Sequence, residues 1–148
     1  MPRSPVCVDA NVVVALVTAE RFSHAALALW QELTHRDLQP VAPLLLRYEV
    51  TSTLRRKIVR GAMSSEDAGQ ALREALALDI HYLDPPGLSE QAFELAARFQ
   101  RPAAYDAHYL ALAHHLNCSF WTADERLYNS IRADCPRIRW LGAHRPES

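Results

Sequence analysis

Glycine is scarce in this chain. Among 148 residues there are only Gly61, Gly69, Gly87 and Gly142, all far apart. That spacing excludes a glycine-rich loop around a phosphate and the nucleotide-binding motifs built on one. No G-x-S-x-G segment occurs, which removes the serine nucleophile elbow. Cys7, Cys118 and Cys135 are an odd set without metal-type spacing. Cys7 and Cys118 sit inside apolar strand-like runs, where cysteine behaves as a small hydrophobe. This cysteine usage suits a reducing cytoplasm. The histidines also lack zinc spacing. His114 and His115 are adjacent and so diverge around a helix, His114 toward the core side and His115, with His108, toward solvent. No apolar stretch is long enough for a membrane span, and residues 1–5 lead into a short strand without a signal-peptide apolar region. The formal net charge is −1, so bulk electrostatics do not mark a nucleic-acid binder. Local basic clusters at Arg55-Arg56-Lys57 and Arg137 to Arg139 are each explained by solvated helix and turn charges.

What is present is ordinary globular composition, 49% hydrophobic and 22% charged. The length fits one domain, 1–148, with a substantial core. Val6 to Asp9, Val41-Ala42, Ile80 to Leu83, Cys118 to Thr122 and Ile138 to Leu141 read as short strands. Helices are expected between them. Phe22, Ala25, Ala26, Leu29, Trp30 and Leu33 make one apolar face, and Leu46, Val50, Leu54 and Ile58 a stripe that Gly61 ends. Ser64 is placed to cap the helix that follows it. Pro102 stops a helix from Leu88 to Gln100, Asn117 caps one from Asp106 to Leu116, and residues 143–148 look like a frayed tail. Short apolar strands alternating with helices predict an α/β fold of three layers, a central, mostly parallel, roughly five-stranded sheet flanked by helices.

Four acids sit where core-forming elements end or begin. Asp9 ends the run Val6-Cys7-Val8, Glu49 lies at the margin of the Leu46–Ile58 stripe, Asp106 opens a helix, and Asp124 follows a strand. Each has a local explanation. Asp9 and Asp124 can cap the helices after them. Asp106 gains about 0.3–1 kcal/mol from the helix dipole. Glu49 can pair with Arg56, which lies on the same side two turns on. Together they point further, because ligands of open parallel sheets bind beyond the carboxyl ends of strands, where Asp9 and Asp124 lie. Two carboxylates ~4 Å apart repel by roughly 4 kcal/mol at an effective dielectric of 20. A cluster of them holds protons or recruits a cation, and all-oxygen ligands favour Mg²⁺ or Mn²⁺ over zinc. Such an ion supports phosphodiester hydrolysis. An aspartyl-phosphate mechanism wants an acid two residues after Asp9, where this chain has Asn11.

The residues around these acids resemble the PIN-domain nucleases, in particular the VapC-type toxins of type II toxin–antitoxin systems. Val8-Asp9-Ala10-Asn11, Tyr48-Glu49-Val50, Tyr105-Asp106-Ala107-His108-Tyr109-Leu110-Ala111-Leu112-Ala113 and Thr122-Ala123-Asp124-Glu125-Arg126-Leu127 match that family's motifs in order and approximate spacing. The resemblance implies a single PIN-like nuclease domain over 1–148. In it Asp9, Asp106 and Asp124 hold Mg²⁺ or Mn²⁺, Glu49 completes the site, and Asn11 and Thr122 support the acids by hydrogen bonds. It implies an RNA substrate cut internally, a small cognate antitoxin that lays a segment into the groove, and a homodimer. Arg47, Arg56 and Arg126 neighbour the acids and are candidates for RNA contact. A housekeeping RNA-processing nuclease and a non-catalytic docking module are the alternatives.

Overall fold

The computed structural model describes residues 2–101 and 104–144. Five strands form its sheet: β1 (Pro5–Val8), β2 (Gln39–Ala42), β3 (His81–Tyr82), β4 (Phe120–Thr122) and β5 (Ile138–Trp140). Their order is β3-β2-β1-β4-β5, and every neighbouring pair is parallel. The helices are α1 (Ala10–Val17), α2 (Ser23–His35), α3 (Leu45–Val59), α4 (Ser65–Ala77), α5 (Leu88–Arg98), α6 (Tyr105–Leu116) and α7 (Glu125–Ile131). The expected α/β architecture is therefore present, with a sheet that is parallel throughout.

Both faces of the sheet are covered, which is why its strands read as continuous apolar runs and not as alternating ones. Cys7, Val41 and Phe120 join a large core with α3, α4, α5 and α6. Val6 joins a smaller core with Ala26, Leu29 and Leu33 of α2 and with Leu141. β1 thus feeds both cores, Val6 the smaller one and Cys7 and Val8 the larger, which fixes the central strand between the two helical layers.

The punctuation read from sequence holds. Gly61 takes φ 74° just after α3, and Asn117 takes φ 53° at the end of α6. Both are left-handed positions that glycine and asparagine tolerate. The Ser64 hydroxyl accepts the Asp67 N–H at 3.0 Å and so caps α4. Pro102 as a helix stop, and residues 145–148 of the expected tail, lie outside the described residues. Two expectations change. Ala143 closes a short 3₁₀ turn, Leu141–Ala143, and the His144 ring sits edge-on to Trp121 at 5.3 Å, so the expected fraying does not begin at Ala143. His114 is exposed, because Leu110, Ala111, Leu112 and Ala113 already fill the buried side of α6. It lines a surface cavity with Leu95, Phe99 and Cys135 instead.

Candidate active site

The strand order places a switch point beside β1. The chain leaves β1 for β2 on one side, and β4 enters on the other, in register through Cys7–Phe120 and Val8–Trp121. Asp9 is the residue after β1, and Asp124 lies two residues past β4. A cavity of about 630 Å³ opens near this edge. Asp9, Asn11, Glu49 and Asp106 line it, with Tyr48, Tyr105 and the cations Arg56, Lys57 and Arg60. The structure thus gathers three of the four acids from three elements: the β1–α1 turn, α3 and α6.

Asp9 is only 5% exposed. It stands at the N-cap position of α1, yet its side chain makes no capping hydrogen bond. Instead its Oδ2 accepts the Thr122 hydroxyl at 2.9 Å and the Asn11 amide at 3.3 Å. Thr122 Oγ1 in turn accepts Asn11 Nδ2 at 3.2 Å and the Asp124 N–H at 3.1 Å. Asn11 Oδ1 accepts the Ala123 N–H at 2.9 Å. This network ties the β1–α1 turn to the β4–α7 turn and fixes the Asp9 carboxyl. Asn11 and Thr122 are the two polar positions singled out in sequence, and both reach Asp9.

Burial pushes the Asp9 carboxyl up to about 8, the neighbouring Asp106 and Glu49 charges add to the rise, and the Thr122 hydroxyl opposes it. Glu49 is also held above the usual carboxylate range, chiefly by burial, against a hydrogen bond from Tyr109. The Tyr109 hydroxyl donates to Glu49 Oε1 at 2.6 Å, and Tyr109 is itself fully buried against Phe120. The local Glu49–Arg56 pairing is not made: Arg56 Nη2 donates to Thr53 at 3.1 Å. Asp106 Oδ2 accepts Arg101 Nη2 at 2.9 Å, a partner not anticipated from the sequence.

Asp124 behaves differently. Its Oδ1 accepts the Leu127 N–H at 3.1 Å and caps α7, and it is not among the cavity's lining residues. Among the described residues, no three His, Cys, Asp or Glu side chains are placed so as to hold a metal ion. In chemical kind, however, the donors fit a hard divalent cation. They are carboxylates only, and the most buried of them is repelled by two others.

A family model of the PIN domain matches residues 6–131, which carry all four acids. The chain belongs to the PIN-domain family. Two curated relatives, a VapC ribonuclease of Mycobacterium bovis and the ribonuclease VapC9 of Mycobacterium tuberculosis, are each 38% identical to it over 94 residues, 64% of this chain and 72% of theirs. A toxin–antitoxin complex from Klebsiella pneumoniae contains a chain of the same fold. It has a TM-score of 0.64 and 18% identity, with 92% of this chain and 97% of that one covered.

Within this PIN domain the three arginines proposed for RNA contact separate. Arg56 lines the cavity, joined by Lys57 of the same helix and by Arg60 just past its end. Arg47 lies 5.9 Å from the Tyr82 ring centroid, and Arg126 is exposed at the start of α7; neither lines the cavity. Lys57 and Arg60 follow Glu49 by two and three helical turns, a spacing that brings a helix residue back to roughly the same side. That signal was available in the sequence.

Proposed function

We propose that this chain is a metal-dependent endoribonuclease, the toxic member of a type II toxin–antitoxin pair, acting through a single PIN-like nuclease domain over 1–148. The observation that carries the reading is Asp9: a buried carboxyl, not used to cap its helix, facing Glu49 and Asp106 in a cavity of a PIN domain. VapC ribonucleases at 38% identity and a toxin–antitoxin structural neighbour supply the substrate class and the partner class.

In this reading Asp9, Asp106 and Asp124 hold Mg²⁺ or Mn²⁺, and Glu49 completes the site. A bound divalent ion supplies polarisation of the phosphoryl oxygen and a more acidic water. The chain supplies the rest. Thr122 and Asn11 keep the Asp9 carboxylate in one orientation. Tyr109 occupies one oxygen of Glu49, which leaves the rest of that carboxylate to accept a proton from attacking water at the cavity surface. Arg56 and Arg60 attract the RNA backbone to an otherwise acidic cleft. Arg101 pairs with Asp106 in the free protein, a carboxylate that would otherwise be available to a bound cation.

A small antitoxin covers the cleft in the inactive pair, a homodimer forms, and the protein works in the cytoplasm. Among the described residues no helix is long and apolar enough to cross a membrane. The experiment is incubation of purified protein with total cellular RNA and Mg²⁺. Internal cleavage is expected, and it should vanish with chelator and in Asp9→Asn. Equal cleavage by Asp9→Asn would rule the site out. Growth arrest on expression, relieved by a neighbour-encoded partner, separates a toxin from a housekeeping nuclease.

A further inference from the structure

The chain has five tyrosines. Three are packed against other groups: Tyr109 stacks on Phe120, Tyr128 stacks on Trp140, and Tyr82 lies under Arg47. The other two, Tyr48 and Tyr105, are 63% and 61% exposed, and both line the acidic cavity. Each directly precedes one of the acids, Tyr48 before Glu49 on α3 and Tyr105 before Asp106 on α6. Neighbours on a helix point about 100° apart, so one residue meets the acidic floor while the other stands at the rim. Among the described residues neither ring stacks on another aromatic ring or lies under a cation.

Large exposed rings beside a charged cleft call for a ligand with flat apolar faces and negative charge. Arg56 and Arg60, on the cavity wall, make no ion pair with a carboxylate among the described residues, whereas Lys57 is held by Glu20 at 3.0 Å. Two unpaired cations and two ring faces, contributed by two helices around one acidic floor, match a phosphate chain that carries bases.

We propose that Tyr48 and Tyr105 are base-stacking platforms, one on each lip of the cleft, that grip the nucleobases flanking the phosphate held over Asp9, Glu49 and Asp106. The inference rests on the ribonuclease reading and deepens it by naming specificity residues. Aromatic stacking is tolerant of sequence and needs bases free of a duplex partner. The tyrosines therefore select unpaired RNA and place the scissile phosphate by holding the bases beside it, while the two arginines hold charge.

The test titrates the full chain into short single-stranded RNA of mixed sequence that carries a fluorescent adenine analogue, and into abasic RNA of the same length. The wild type is expected to quench the analogue. Tyr48→Ala and Tyr105→Ala should each weaken binding of base-bearing RNA by about tenfold and lose the quench. Tyr48→Phe and Tyr105→Phe should retain both, and abasic RNA should bind the wild type and all variants alike. Unchanged binding by the alanine variants at wild-type melting temperature would overturn the proposal. So would equal weakening on base-bearing and abasic RNA, or a shift in oligomeric state on gel filtration with RNA binding unaltered, which would assign the rings to a protein contact. Cleavage of total RNA by the wild type keeps the two levels apart. If it cleaves while the alanine variants bind normally, only the stacking role fails. If it neither binds nor cleaves RNA, both readings fail.

Discussion

The turns after β1 and β4 begin alike and end differently. Each is an acid at the N-cap position of a helix that follows a buried parallel strand. Local preference predicts one outcome for both, a carboxylate accepting the first free N–H groups of its helix. Asp124 does this through Leu127. Asp9 does not; its carboxyl accepts Thr122 and Asn11 and faces the cavity. The difference lies in the neighbours. Asp9 follows the central strand, under α3 and α6, and Asp106 and Glu49 stand near enough to raise its affinity for a proton. Asp124 begins the short α7, nearer the sheet's edge, and meets mainly its own backbone. A capping motif is therefore a local offer that tertiary surroundings accept or decline, and the declined offer leaves the Asp9 carboxyl facing the cavity.

The largest effect should come from neutralising the two acids in turn. Asp9→Asn is expected to reduce RNA cleavage by about a hundredfold or more, since metal-assisted stabilisation is worth several kcal/mol. Asp124→Asn keeps a competent cap, so its melting temperature should match the wild type. If Asp124 also serves the metal, its cleavage rate falls without loss of stability; full activity would restrict it to capping α7.

The next contrast is with pH. The Asp9 carboxyl stands at about 8 in the folded protein against an ordinary value of 3.8. Between those values the folded chain holds a proton that the unfolded chain has released, so stability falls as pH rises. Below about pH 4 the contribution is complete, and above about pH 8 it is lost. Calorimetry of metal-free protein across this window should show a declining melting temperature, with a shallower decline in Asp9→Asn. Identical slopes would mean that Asp9 is not the titrating group. Added Mg²⁺ should restore most stability at the alkaline end.

Thr122→Val probes the link between the two turns. It leaves the Asp124 N–H and part of the Asp9 carboxyl without their buried partner, and should destabilise the fold by about 1–3 kcal/mol. Denaturant unfolding measures this, and a loss near zero would show that the network does not couple the turns. The smallest effect belongs to a purely local cap: Ser64→Ala should cost about 1 kcal/mol and leave cleavage untouched. A change in cleavage there would contradict the separation of cap from site.

Much of this was legible beforehand. The five strands, the caps at Ser64 and Asn117 and the stop at Gly61 come from short-range chemistry, and short-range chemistry is written in neighbouring residues. Asn11 and Thr122 were legible because they sit two residues from Asp9 and Asp124 within matching motifs. What could not be read were contacts between distant positions. Tyr109 reaching Glu49 depends on how α6 crosses α3. The exposure of His114 depends on which α6 residues the sheet and α5 already occupy.

The sequence by itself determined the alternation of strand and helix, the parallel sheet and the identity of the acids. Apolar periodicity and capping chemistry act within a few residues and need no knowledge of the rest of the chain. Only the tertiary structure decided which acids meet. Asp9, Glu49 and Asp106 converge because β1, α3 and α6 are stacked around one edge of the sheet, while Asp124 keeps its carboxyl on its own helix. Desolvation and like-charge repulsion exist only once those elements are packed, and they turn an ordinary strand-ending aspartate into a group whose charge needs a partner.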